Sequence, residues 1–150
     1  MSSLPLPYKQ NITPGTRFNS LKIEGTPKDK AEFFYVHFNW RGTDGDNDDI
    51  AASFEFCFNH RGYRNQIVCY TRNNNPYVQP QNVVVFSDNF PFRATNAFAM
   101  EINTKNCRNA LKVFVNDAKI LQYDIPVDIS SFASVWVGGD LETLSKCEVK

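Results

Sequence analysis

Few residues in this chain come in the types and spacings that chemistry requires. Two histidines, His37 and His60, are few for an enzyme. His37 alternates within an apolar run, where a structural role outweighs that of a base, and His60 lies near a turn with no carboxylate or nucleophile beside it in sequence. The loop Trp40 to Asp49 carries Asp44, Asp46, Asp48 and Asp49, but it lacks the glycine and the terminal glutamate of a calcium-binding loop, so it reads as solvated. There is no G-x-S-x-G, no glycine-rich phosphate loop and no cluster of zinc ligands. Paired carboxylates for glycoside hydrolysis meet only in a fold, and Glu55 is the first suspect for one of them. Binding is the better expectation than catalysis, with neither metal nor cofactor. The most suggestive stretch is Ile67 to Asn82, IVCYTRNNNPYVQPQN, which sets one aromatic, Tyr77, among amides and prolines. Such a ring either packs on its own loop or offers a platform to a ligand.

Whatever these residues do, short strands must position them. Apolar and polar residues alternate with period two, bounded by Gly, Pro, Asn and Asp, and helical periodicity is nearly absent. Strands are expected at Phe18–Ile23, Glu32–Phe38, Ile50–Arg61, Gln66–Thr71, Asn82–Phe86, Ala97–Asn103, Ala110–Val115, Lys119–Tyr123, Ala133–Gly138 and Leu144–Val149. In Ile50–Arg61, Phe54, Phe56 and Phe58 point to a core, while Ser53, Glu55, Cys57 and Asn59 form a polar face toward water. About ten short strands joined by turns predict an all-β protein, an antiparallel β-sandwich of two sheets.

The 150 residues fit a single domain, 1–150, large enough to bury a core without disulfides or metal. Sixteen basic and sixteen acidic residues give zero net charge, which argues against nucleic acid as a partner; the densest basic patch is His60 to Arg64. No apolar run is long enough for a signal peptide or a membrane span, so the expected location is cytoplasmic, or outside the cell by a route without a signal peptide. Cys57, Cys69, Cys107 and Cys147 lie far apart and read as free thiols, with a two-disulfide secreted domain as the alternative. The sequon at Asn11 matters only in that secreted case.

The order of segments resembles the galectin carbohydrate-recognition domain along nearly the whole chain. Leu4–Tyr8 looks like its proline-containing opening strand, Leu21–Gly25 like an early strand ending in glycine, and Phe34–Phe38 like the next. Asp49-Ile50-Ala51, Ile67-Val68-Cys69, Phe90-Pro91-Phe92, Phe114-Val115-Asn116, Gln122-Tyr123 and Trp136-Val137-Gly138-Gly139-Asp140 are similar to further landmarks in order. The resemblance implies a jelly-roll lectin fold, glycans or glycoproteins as partners, and no cofactor. It also implies a signature of H-x-N-x-R on one strand, V-x-N on the next, then W-x-x-E-x-R. There, polar side chains two apart share a sheet face and bond a galactose, while the tryptophan stacks on its C–H face.

This sequence departs from that signature. Tyr70 stands at the asparagine, Tyr77 at the tryptophan, Pro80 at the glutamate and Asn82 at the second arginine. The first strand aligns in two registers. One puts Ser53, Glu55 and Cys57 at the His, Asn and Arg positions; the other, four residues on, uses Cys57, Asn59 and Arg61. An even shift preserves every face, so alternation does not choose, although a turn around Gly62 favours the first. The resemblance therefore implies a lectin with an altered site, Tyr77 stacking on a sugar and Glu55, Asn59, Arg61, Arg72 and Asn82 supplying hydrogen bonds. The alternative is a galectin-fold protein that has lost galactoside binding and acts through protein contacts. A homodimer burying an apolar edge strand would favour that second reading.

Overall fold

A computed structural model describes residues 3–13, 16–40, 50–72, 82–86 and 89–150. Among the described residues eleven strands run β1 (Tyr8–Asn11), β2 (Ser20–Pro27), β3 (Phe33–Trp40), β4 (Ile50–His60), β5 (Tyr63–Arg72), β6 (Asn82–Val85), β7 (Phe98–Asn103), β8 (Ala110–Val115), β9 (Ala118–Asp124), β10 (Phe132–Gly139) and β11 (Leu141–Val149). They form a six-stranded sheet in the order β1-β10-β3-β4-β5-β6 and a five-stranded sheet in the order β11-β2-β7-β8-β9, with every pairing antiparallel. The expected β-sandwich is thus observed. One short 3-10 turn, Ile129–Ser131, leads into β10, its start capped by the Asp128 carboxylate accepting from Ser130 N–H.

Alternation explains the sandwich directly. Phe34, Val36 and Phe38 on β3 and Phe54 and Phe56 on β4 are fully buried between the sheets, as are Ile67 and Cys69 on β5. Across from them, Leu21, Ile23, Met100, Ile102, Leu111 and Val113 come from the five-stranded sheet. Aromatic rings join the layers: Phe34 lies 4.7 Å from Phe56, 5.0 Å from Phe92 and 5.2 Å from Phe98 between ring centres. Edge and offset geometries of this kind add attraction beyond burial alone. A polar link also crosses the core. Thr71 on β5 donates to the Ala51 carbonyl (2.8 Å) and pairs with the Tyr123 hydroxyl of β9 (2.9 Å), so these buried hydroxyls are satisfied.

Two turns fix the site's register. The β4–β5 hairpin closes on Arg61 and Gly62, both with positive φ (53° and 82°), between the paired residues His60 and Tyr63. Two left-handed residues match the twist of a two-residue hairpin, and glycine at the second adopts that conformation without strain. The segment Trp136-Val137-Gly138-Gly139-Asp140 carries the chain from one sheet to the other. Val137 points into the core and Gly138 leaves room for the Tyr35 ring. Gly139, at φ 91°, sits so close to β3 that a Cβ there would fall 2.7 Å from Phe34 Cα. Asp140 then accepts from Glu32 N–H through its carboxylate (2.9 Å) and locks the corner onto β3.

Candidate functional site

The outer face of the six-stranded sheet gathers most of the residues singled out in the sequence. Rows of paired residues run across it. One is Trp136, His37, Ser53 and Tyr70; the next is Gly138, Tyr35, Glu55, Val68 and Val83; a third is Phe33, Cys57, Gln66 and Val85. The hairpin pairing Ser53 with Tyr70 matches the register that puts Ser53, Glu55 and Cys57 at the signature positions. Arg61 lies in the turn rather than on the strand, so a strand motif of Cys57, Asn59 and Arg61 does not form. Asn59 and Arg61 are exposed at the hairpin end, away from the centre of the face.

The polar face of β4 is not the wetted surface that alternation predicts. Glu55 is partly exposed, but Ser53 and Cys57 are both fully buried. Neighbouring aromatic side chains explain the difference: the face carries Tyr35, His37, Tyr70 and Trp136 in place of small polar groups, and large rings cover what lies between them. Ser53 Oγ sits near enough to the Tyr70 phenol to lower its pKa somewhat, yet the two fall outside hydrogen-bond geometry and Ser53 Oγ has no partner. Burial is the larger effect on Tyr70 and raises its pKa, so the phenol stays neutral and able to donate. Burial likewise pushes the Cys57 thiol up to about 12, with the nearby Glu55 carboxylate adding to the rise, so it is no nucleophile.

Arg72 extends past Tyr70 on the same face, exposed at the end of β5. Asn82 is exposed on β6, but it pairs with Cys69, whose side chain faces the core, so the register sets it apart from the rows that hold Glu55 and Tyr70. Tyr77, Pro80 and the aspartates of 44–49 lie outside the described residues. Among the described residues no group of three or more His, Cys, Asp or Glu side chains is placed to hold a metal, and all four cysteines are free thiols.

Sequence reasoning missed the β3 and β10 side of this face. His37 stacks on Tyr35 with ring centres 4.3 Å apart, and burial lowers its pKa to about 4, so the imidazole is neutral. A satisfied structural histidine is the expectation, but Nε2 is buried without a hydrogen-bond partner. Trp136 is partly exposed, with Lys9 Nζ 5.2 Å from its ring centre. The signal was present in the alternation of β10, which sends Trp136 to the face opposite Val135 and Val137. His60, at the hairpin, stacks on Phe33 at 3.9 Å.

Comparison with known proteins agrees with this architecture. The model of the galactoside-binding lectin family matches residues 6–149. Sheep galectin-11, solved in complex with glycerol, is 20% identical and superposes with a TM-score of 0.77 over 99% of this chain and 100% of that one. The Caenorhabditis elegans galectin LEC-6 is 14% identical, with a TM-score of 0.78 over 99% of this chain and 93% of its own. A variant of human galectin-16 is 23% identical, with a TM-score of 0.77 over 100% of this chain and 99% of that one. Comparison against curated proteins found no match. From residue 6 to residue 149, this chain belongs to the galactoside-binding lectin family, the galectins.

Proposed function

We propose that this protein is a non-catalytic lectin that recognises a glycan on the outer face of the six-stranded sheet, with a specificity altered from simple galactosides. The observation that carries the reading is the family match across residues 6–149, combined with signature positions that hold Ser53, Glu55, Cys57 and Tyr70 in place of the galactoside-binding residues. Tyr77 takes the stacking position; Glu55, Tyr70 and Arg72 share the face and offer polar contacts, while Asn59, Arg61 and Asn82 contribute from its margins. Losing the glutamate and both arginines removes the charge-assisted bonds that would hold a galactoside most tightly. Free thiols accord with a cytoplasmic location and unconventional export. Among the described residues no helix is long and apolar enough to cross a membrane. The test is a glycan array including lactose and chitooligosaccharides, followed by titration of any hit. Binding weakened by Tyr77→Ala or Glu55→Gln supports the reading, and no binding to any glycan removes it.

A second reading has its own support. Ser53 and Cys57 are closed to solvent, and the edge strand β6 exposes Val83 and Val85, at 40% and 67% of their surface. An apolar edge of that kind suits strand addition or a homodimer, as expected of a galectin fold that works through protein contacts. Sedimentation of the protein against a Val83→Lys, Val85→Lys variant separates the two: a dimer lost in the variant supports protein contacts.

A further inference from the structure

We propose that a shallow hollow walled by Trp136 and floored by β3, beside the signature positions rather than on them, holds one neutral pyranose ring. The inference rests on the lectin reading above and names where its sugar is held. The hollow is lined by Tyr35, His37, Asn39, Ile50 and Trp136 and has a volume of about 160 Å3, suited to a single ring and not to an extended chain. Its composition is what a sugar requires. Trp136 and Ile50 offer apolar surface to a C–H face, and the Asn39 amide and Tyr35 hydroxyl offer directional bonds to hydroxyls.

The alternatives on this face are less open. Ser53, Cys57 and Val68 are sealed, so over the β4–β5 signature positions a ring finds only Glu55 and Tyr70 partly exposed between closed neighbours. In the hollow, by contrast, Trp136 and Asn39 are partly exposed. Among the described residues no carboxylate lines it, and His37 is neutral at ordinary pH. Lys9, beside the Trp136 ring, disfavours a cationic ligand.

The floor also carries unused bonding capacity. His37 Nε2 and, on the paired residue of β4, Ser53 Oγ are both buried without partners. Each such group carries an uncompensated desolvation cost while it stays unpaired. Tyr35 stacks on His37 and rests against Gly138, where no side chain stands in the ring's way. A swing of Tyr35 opens His37 Nε2 to a sugar hydroxyl, which then satisfies a group that the protein leaves bare.

The test is a titration of 15N-tryptophan-labelled protein with the best glycan from the array and with lactose, following both indole N–H signals. The Trp136 signal, assigned by its loss in Trp136→Phe, is expected to shift on binding. Trp136→Ala should weaken affinity about tenfold or more, Trp136→Phe should recover part of that, and Asn39→Ala should weaken it as well. Circular dichroism melts exclude unfolding, and Asn39→Ala keeps the test valid if Trp136→Ala does not fold. Binding that survives Trp136→Ala and Asn39→Ala but is lost in Tyr77→Ala overturns this proposal and leaves the lectin reading standing. Binding to no glycan removes both.

Discussion

Acidification should destabilise this protein through one imidazole, and the size of the effect follows from where His37 sits. Burial on the outer face of β3 lowers its pKa to about 4, with no charged partner among the described residues to compensate. In the unfolded chain the same group titrates near its ordinary 6.5. The folded value is depressed, so above pH 6.5 both states are neutral and the stability is whole. As the pH falls below 6.5 the unfolded state takes up a proton first, and stability declines until the folded state also protonates near pH 4. The gap of about 2.5 pH units, at about 1.4 kcal/mol each, amounts to about 3.5 kcal/mol at most, and residual exposure reduces it. The assay is urea unfolding followed by tryptophan fluorescence at pH 7, 5.5 and 4.5, comparing the protein with His37→Gln. The other ionisable groups are common to both proteins, so the difference in slope belongs to His37. The variant should lose less stability on acidification by about 2 kcal/mol or more. Equal slopes, or an NMR titration of His37 with a midpoint near 6.5, would refute the reasoning.

Other perturbations follow from the packing. Gly139→Ala forces a left-handed residue against Phe34 and should cost more than about 2 kcal/mol in chemical denaturation. Gly138→Ala places its Cβ 2.6 Å from the Tyr35 ring carbon Cζ, so the ring must move; the expected result is a loss of about 1–3 kcal/mol and a changed Tyr35 environment by NMR. Tyr123→Phe removes the hydroxyl paired with Thr71 and should cost about 1 kcal/mol, measurable as a lower urea midpoint. At pH 8 a thiol reagent should label only the partly exposed Cys107 in the native protein, since burial pushes Cys57 and Cys69 up to about 12 and Cys147 up to about 11; all four react once it is unfolded.

Much of the architecture was legible because its cause is local. Phe54, Phe56 and Phe58 alternate with polar residues, so the core face of β4 follows from period two alone. Gly62 supplies the left-handed turn that fixes the β4–β5 register, and thereby selects the alignment with Ser53, Glu55 and Cys57 at the signature positions. β2 begins later and runs farther than alternation suggests, from Ser20 to Pro27, because pairing with β7 and β11 extends it. β11 starts at Leu141, three residues ahead of the expected strand, because Gly139 and Asp140 turn the corner so sharply.

The candidate site was less legible, for a physical reason. Whether Ser53 meets water depends on His37 from β3 and Tyr70 from β5, and no single strand carries that information. Trp136 is 83 residues from Ser53 in sequence, yet it closes the same row of the sheet. Burial on a sheet face is decided by the neighbours across it, and strand alternation reports only which face a residue joins.

The proposed function stands or falls on whether a glycan binds the outer face of the six-stranded sheet. The most direct test is isothermal titration of the intact protein with the best glycan found on the array, with lactose alongside. Saturable binding, weaker for lactose than for that glycan and abolished by substitutions on this face, is the predicted result. No heat and no NMR shift with any glycan would contradict it.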